Sequence, residues 1–216
     1  MSKYRFPHIP ISKIYTSFNA PITEMDCGKK CAPHNPSGKP FCCDICEAVP
    51  AAYLQEWDYL QKNTDLWQTW RGDECDTSPK ELATLQAETP ETMILLACLG
   101  PDQCQREYRA LSCRQFPFFP YISDDFRFLG LAHEWEFDGK CWVIDNLDAV
   151  STTYRAEFIQ TFDTFFDIFP QEMESYAIKS EAMRAEFLKR RRRIAILHRN
   201  GADYLLSPGS ERLALK

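Results

Sequence analysis

Eight of the ten cysteines form two groups whose residue type and spacing suit the binding of a soft metal. The first group lies in CGKKC and FCCDIC, and the second lies in CLGPDQC and SCRQFPF. Thiolate sulfur is a preferred ligand of zinc and of iron–sulfur clusters. We therefore predict that the two groups share one metal centre, with candidate ligands Cys27, Cys31, Cys42, Cys43, Cys46, Cys98, Cys104 and Cys113.

The spacing of these cysteines separates the possible metals only in part. Zinc fingers carry two well-separated ligand pairs, a pattern that is not found here. A 4Fe–4S cluster takes four thiolates, so eight cysteines imply a second site or thiols with other tasks. Adjacent side chains of an extended chain point in opposite directions, so we expect Cys42 and Cys43 to have different roles. The leading cofactor is an iron–sulfur cluster, and zinc is the alternative.

The other potential ligands are weaker candidates. Cys75 and Cys141 stand apart from both groups and are predicted to be buried, reduced cysteines. His34 lies within the first group and could be a ligand or a solvated loop residue. The first residues contain no apolar leader, which predicts a cytoplasmic protein whose thiols stay reduced, and disulfides are therefore not expected.

Three polar residues of the second group are candidates for cofactor binding. Arg109 and Arg114 would place guanidinium donors beside negatively charged thiolates, and Tyr108 could donate a hydrogen bond to sulfur. A surface position for the arginines and a packed ring for the tyrosine remain the alternatives.

The segment from about residue 25 to residue 120 resembles the YkgJ-type cysteine-cluster family. The shared pattern is a cysteine group with a Cys-Cys pair, a helix with Glu56-Trp57, and a final Cys-Arg-x-Phe-Pro. The resemblance implies a zinc- or iron-chelating domain, and a related domain occurs in flagellin lysine N-methylases. The matching residues are Cys27, Cys31, Cys42, Cys43, Cys46, Cys98, Cys104, Tyr108, Arg109, Cys113, Arg114, Phe116 and Pro117.

Composition and charge limit the partners. The chain has 216 residues and a net charge of −6, which argues against a general nucleic-acid binder. Its longest apolar run, Met93–Leu99, is too short for a bilayer, so no membrane insertion is expected. One basic run could dock an acidic protein or redox partner, RNA or an anionic membrane surface, although a solvated helix end is the preferred interpretation. The run consists of Lys189, Arg190, Arg191, Arg192 and Arg193.

The elements that would position these residues indicate a mainly helical single α+β domain with a small antiparallel sheet and cysteine-rich metal-binding loops. Residues 1–26 are predicted to be extended, 27–150 to form the cysteine-cluster region, and 151–216 to form helices and a hairpin packed on the same domain. Helices are predicted over 47–61, 64–71, 78–88, 151–169 and 172–191, and strands over 93–99, 126–131, 133–137 and 140–144, with a further hairpin around Asn200-Gly201.

The function predicted from these features is that of an iron–sulfur protein, most readily of the 4Fe–4S type, with a redox or cluster-dependent role. Two other hypotheses stay open. One is a zinc-stabilised protein-interaction module, and the other is an enzyme similar to the lysine N-methylases.

Overall fold

The computed structural model describes residues 6–216, whose contacts form two compact units. The first unit contains the described residues up to Asn19 together with Asp26–Phe116. The second contains Ala20–Met25 and Pro117–Lys216. Each combines helices with antiparallel strands, which confirms the predicted α+β class. The sequence predicts one domain with a change of pattern at residue 151, whereas the second unit begins its main segment at Pro117.

The first unit is built around a three-stranded antiparallel sheet in the order β1-β3-β2. The central strand β3 pairs with β1 through its first half and with β2 through its second half. The elements are α1 (Ile11–Ser17), α2 (Gly28–Cys31), β1 (Ala51–Tyr53), α3 (Leu54–Asn63), β2 (Trp67–Thr69), α4 (Pro79–Glu88), β3 (Met93–Cys98) and α5 (Leu111–Gln115). The predicted strand at 93–99 and the helix at 78–88 are confirmed.

Helix α4 begins where its sequence predicts. The Ser78 hydroxyl accepts a hydrogen bond from the Glu81 amide, and the Glu81 carboxylate accepts one from the Ser78 amide. This reciprocal capping box satisfies two amides at the start of the helix.

The prediction that residues 1–26 are extended is wrong for Ile11–Ser17, which form α1; residues 1–5 lie outside the described part. Pro10 lies immediately before this helix and Pro21 lies beyond its end, so neither interrupts it. Ile11, Ile14 and Tyr15 are buried on one face, which stabilises two turns of helix.

The predicted helix at 64–71 is also wrong, because Trp67–Thr69 form strand β2. Trp67 and Trp70 are three residues apart, a spacing that also occurs on a helix face. Here Trp67 is paired with Cys98 across the sheet, a contact that the local sequence does not encode.

The second unit contains a five-stranded antiparallel sheet in the order β4-β5-β6-β7-β8. Helix α8 packs on this sheet, and the shared core includes Phe119, Tyr121, Met183 and Phe187. The elements are β4 (Phe118–Ile122), β5 (Phe128–His133), α6 (Trp142–Asp145), α7 (Thr152–Ile168), α8 (Pro170–Lys189), β6 (Ile194–His198), β7 (Asp203–Leu206) and β8 (Leu213–Leu215). The two long helices and the hairpin at Asn200-Gly201 are confirmed.

The apolar stripe of α7 lies in the core, as predicted. Phe158, Phe162 and Phe165 are almost completely buried, and the ring centroids of Phe158 and Phe162 are 4.6 Å apart. Burial of three aromatic side chains explains why this helix forms despite several β-branched residues.

The predicted hairpin at 133–144 is wrong. Strand β5 ends at His133, and Asp138-Gly139 connects a short 3-10 turn to α6. Gly139 has a positive φ of 74°, but Asp138 has a φ of −54°, whereas a type I′ turn needs positive φ at both positions. Strand β4 is not among the predicted strands.

Gly130 allows β5 and β6 to approach closely. Its φ is 147°, and it is paired with His198 in the sheet. A Cβ atom at this position would overlap the carbonyl oxygen of Leu197 and lie 2.8 Å from the Cα of His198. Any other residue would therefore force the two strands apart.

The basic run forms the end of α8 and its turn into β6. Arg190 and Arg192 both contact the Asp138 carboxylate, at 2.9 Å and 3.3 Å, and Arg190 also contacts Glu186. Arg191 has a positive φ of 54° and terminates the helix. In residues 6–216, no helix combines the length and the apolar character needed to cross a membrane.

Candidate functional site

Five cysteines from both predicted groups line one cavity in the first unit, which we call the thiol pocket. Its empty space, including the mouth, is about 510 Å³. Arg109 and the Trp67 ring also line it. The five cysteines are Cys42, Cys43, Cys98, Cys104 and Cys113.

Cys42 and Cys43 lie on a 3-10 turn that follows Pro40. Their Sγ atoms are 3.9 Å apart, so both thiols face the same region. The expectation that they point in opposite directions assumes extended backbone, and it is wrong because the 3-10 turn rotates successive side chains by much less than a strand does.

Asp44 organises the loop that carries this turn. Its buried carboxylate accepts hydrogen bonds from the side chains of Asn35 and Ser37, at 3.1 Å and 2.6 Å, and from the Cys46 amide at 3.1 Å. A buried carboxylate with three donors replaces the hydrogen bonds that this irregular segment cannot make in a sheet or a long helix.

The second group reaches the pocket from three successive elements. Cys98 ends strand β3, Cys104 follows a short 3-10 turn, and Cys113 lies within α5. Gly100, with a φ of 97°, allows the chain to leave the strand and turn toward Cys104. The Trp67 indole donates a hydrogen bond of 2.8 Å to the Tyr108 carbonyl, which ties this loop to β2.

Arg109 supplies positive charge to the pocket. Its Nε donates to the Cys104 sulfur at 3.1 Å. Burial acts to lower the pKa of Arg109, but the hydrogen bond with Cys104 and the nearby thiolates raise it overall. The guanidinium therefore remains a cation that can stabilise negatively charged sulfur.

The thiols of the pocket differ in their acidity. The hydrogen bond with Cys42 lowers the pKa of Cys43 to about 7, and Arg109 acts in the same direction against the effect of burial. Burial raises the pKa of Cys98 and of Cys113, and the charges of neighbouring thiolates raise both further. The pocket thus favours one thiolate and resists the accumulation of several unless a cation enters.

Two of the predicted cofactor-binding residues have other contacts. Arg114 does not line the thiol pocket; its buried guanidinium donates to the backbone carbonyls of Tyr15, Phe18, Glu107 and Arg109. Tyr108 contributes its backbone carbonyl to the contact with Trp67 and does not line the pocket either.

Glu56 has a supporting role that the sequence analysis did not identify. Its fully buried carboxylate accepts hydrogen bonds from the Tyr15 hydroxyl and the Leu111 amide, each at 2.6 Å, and from the Tyr53 amide. Burial raises the pKa of Glu56, while these donors and Arg114 oppose the rise. The Glu56-Trp57 pair belongs to the stated resemblance, which was the one available signal.

The remaining members of the first cysteine group do not line the thiol pocket. Cys27 and Cys31, at the start and end of α2, are not part of the pocket lining, and His34 is exposed on a separate turn. Cys46 forms a disulfide with Cys75, with an S–S distance of 2.05 Å.

This disulfide corrects three expectations, the first of which is that the chain contains no disulfide. Cys75 is not an isolated, reduced cysteine, and Cys46 has no thiolate to offer a metal while the bond exists. The two residues are 29 positions apart, so their pairing depends on the fold rather than on local spacing. Cys141 is buried and reduced in the second unit, as predicted.

Within residues 6–216, no three His, Cys, Asp or Glu side chains are arranged as a ready metal-binding group. The donor types nevertheless fit a soft metal, since five sulfurs line one cavity. Comparison of the chain with protein-family models, curated proteins and solved structures found no match.

Proposed function

We propose that the thiol pocket binds a soft metal centre, with an iron–sulfur cluster as the leading candidate and a redox or cluster-dependent role as its function. The observation that carries this proposal is the presence of five thiols and one guanidinium around a single cavity. The five cysteines come from two segments that are more than fifty residues apart in the chain.

Electrostatics makes a bound cation the condition for several thiolates to coexist in this pocket. Burial and mutual repulsion keep the protons on Cys98 and Cys113, and a bound cation would remove both costs of ionisation. Each cysteine has a single rotatable side-chain bond, so changes of rotamer alter the distances between sulfurs. The proposal requires four of the five sulfurs to converge in this way.

The Cys42–Cys43 pair bears on which metal is bound. Two thiolates on one tetrahedral metal with bonds of about 2.3 Å have sulfurs about 3.8 Å apart. The observed separation of 3.9 Å therefore suits a single zinc or iron atom. In a 4Fe–4S cluster the four cysteines are distributed over four irons, so one member of the pair would be spare. A zinc-stabilised interaction module is accordingly the second candidate.

Metal analysis of protein purified without oxygen tests the proposal. We expect a brown protein that contains iron and acid-labile sulfide, with Mössbauer spectra that identify the cluster type. A colourless protein with one zinc per chain would support the second candidate. Protein that contains neither metal, and that cannot be reconstituted with iron and sulfide or with zinc, would contradict both.

Substitution of pocket cysteines should remove the metal. We expect Cys104→Ser and Cys113→Ser to lose most bound metal, because each removes a sulfur that lines the cavity. Cys31→Ser is the matched control from the first group, and Cys141→Ala is the control from the second unit; both should retain it. Full metal content in both pocket variants would exclude the thiol pocket as the binding site.

Adjacent substitutions should separate the two candidates. If one metal atom binds both Cys42 and Cys43, then Cys42→Ala and Cys43→Ala should each lose metal to a similar extent. If a four-iron cluster uses one of them, one variant should retain the cluster and the other should lose it. Metal retained fully by both variants would show that neither thiol is a ligand.

A further inference from the structure

We propose that the Cys46–Cys75 disulfide is a redox-active clamp, which an external dithiol opens and which controls how tightly the thiol pocket retains its metal. The part that concerns metal retention rests on the function proposed above. The part that concerns disulfide exchange stands independently of it.

The disulfide joins two segments that both contribute to the thiol pocket. Cys46 follows Cys43 by three residues on the first cysteine loop. Cys75 follows strand β2, whose Trp67 lines the pocket and is paired with Cys98. The bond therefore fixes the Cys42–Cys43 turn relative to the sheet that carries a third thiol.

One residue separates the disulfide from the pocket. Ile45 lines the thiol pocket and also lines a second, open cavity, to which Cys46 and Cys75 contribute and whose empty space, including the mouth, is about 1330 Å³. A change at the disulfide thus reaches the pocket through the residue next to Cys46. The hydrogen bonds of Asp44 connect residues within the first loop, whereas the disulfide connects that loop to the end of β2.

The disulfide is accessible to exchange. Cys46 is exposed, Cys75 is partly exposed, and both lie at the open cavity. A thiolate of an external dithiol would attack one sulfur, break the Cys46–Cys75 bond and form a mixed disulfide. The second thiol of the reductant would then displace the remaining protein sulfur. In the complete exchange, the protein gains two electrons and two protons and ends with two thiols. The dithiol loses the same electrons and protons and becomes a disulfide.

Opening the clamp should weaken metal binding. A cross-link between residues 29 positions apart restricts the arrangements of the intervening chain. Ligands that are held near their bound arrangement bind more tightly, because less ordering is required on binding. The first loop consists of short turns and the four-residue helix α2, so it depends on such a restraint more than a sheet strand does.

Differential alkylation tests the exchange reaction. Native protein would be treated with dithiothreitol, alkylated and analysed by mass spectrometry, with untreated protein as the reference. We expect Cys46 and Cys75 to be alkylated together after reduction and to be protected before it. Protection that persists until the protein is denatured, or alkylation of both residues before reduction, would overturn the redox-active clamp.

Cobalt(II) titration without oxygen tests the effect on the pocket. We expect the Cys46→Ser/Cys75→Ser double variant and the Cys75→Ser single variant to bind cobalt about ten-fold more weakly than the wild type. Wild-type protein that has been reduced and then freed of reductant should behave in the same way, and it retains the natural sequence. Cys141→Ala is the control for the loss of a cysteine and should be unchanged.

The outcomes distinguish the clamp from the proposed function. Absence of cobalt binding to the disulfide-bonded wild type would contradict the metal site itself, while the alkylation result would still decide whether exchange occurs. Normal wild-type binding with unchanged affinity in the double variant would overturn the clamp alone. Tighter binding by Cys75→Ser than by the double variant would also overturn it, because Cys46 would then be acting as a ligand.

Discussion

Cys43 is the residue whose chemistry depends most directly on its neighbours. Its hydrogen bond with Cys42 lowers its pKa to about 7, and the charge of Arg109 contributes in the same direction. A thiol with this pKa is substantially ionised at neutral pH, and the thiolate is the form that reacts with electrophiles and metals. Cys43 should therefore be the most readily modified thiol of the pocket when no metal is bound.

The rate of alkylation provides a test at this scale. In metal-free protein, the reaction of Cys43 with iodoacetamide should rise with pH around a midpoint of about 7. Cys42→Ala should move the midpoint to higher pH, because the hydrogen bond that favours the thiolate is lost. Arg109→Gln should move it in the same direction by less. An unchanged midpoint in Cys42→Ala, measured by mass spectrometry, would contradict this explanation.

Individual site residues could be predicted where residue type and spacing along the chain are enough to identify them. The five cysteines that line the pocket are among the eight predicted ligands, whereas the other three, Cys27, Cys31 and Cys46, are not part of its lining. The sequence does not identify the partner of Cys46, because Cys75 comes close only through the fold. It also misassigns Arg114, whose hydrogen bonds go to backbone carbonyls that any sequence could present.

At the scale of elements, Glu56 and Arg114 connect three helices that support the pocket. Glu56 on α3 accepts from Tyr15 of α1 and from the first residue of α5. Arg114 of α5 donates to the Tyr15 carbonyl and lies 4.1 Å from the centroid of the Tyr15 ring. It also donates to the Arg109 carbonyl at 2.9 Å, and so holds the backbone of the residue that contacts Cys104.

Removal of the Glu56 carboxylate should destabilise the first unit. Glu56→Ala would leave the Tyr15 hydroxyl and the Leu111 amide buried without this acceptor, at a cost of about 3 kcal/mol in the free energy of unfolding. Glu56→Gln should cost less, because it retains an oxygen acceptor. Glu88→Ala, at an exposed position at the end of α4, is the control. Denaturant unfolding would measure the difference, and equal stability of Glu56→Ala and the control would contradict the role of this network.

Three elements with strong local signals were predicted correctly. The Ser78 capping box, the aromatic stripe of α7 and the Asn200-Gly201 turn each specify their structure through near neighbours. Strand β2 and the segment after His133 depend on contacts from other parts of the chain, with β3 and with Arg190 and Arg192 respectively. Periodicity within the segment cannot reveal such partners, which explains both errors.

At the scale of the molecule, the proposed metal chemistry belongs to one of two compact units. The thiol pocket is lined by residues of the first unit alone, and the five-stranded sheet belongs to the second.

Metal removal should therefore affect the two units differently. We expect amide hydrogen exchange to increase in residues 27–46 and 98–113, whose loops would lose a shared anchor. Strands β5 and β6 of the second unit should exchange as before. Mass spectrometry of metal-bound and metal-free protein would measure this, and equal exchange of both cysteine loops in the two forms would contradict a structural role of the metal.

The basic run should divide into paired and solvent-facing arginines. Arg190→Gln/Arg192→Gln removes contacts with Asp138 and should lower the free energy of unfolding by about 1 kcal/mol, since these pairs are partly exposed. Arg191→Gln/Arg193→Gln should change stability little. If Arg191→Gln/Arg193→Gln instead abolishes a salt-sensitive association with an acidic protein, the basic run is a docking site and not merely a helix end.

The close approach of β5 and β6 at Gly130 has a consequence for genetic screens. Every single-nucleotide change of this codon that alters the amino acid adds side-chain atoms where the Leu197 carbonyl already lies. In a deep mutational scan that measures protein abundance, Gly130 should therefore tolerate as few substitutions as any position of the chain. A scan that scored only survival would rank this glycine beside the pocket cysteines, even though it carries no reactive group. Metal-dependent selection would separate the two kinds of intolerance.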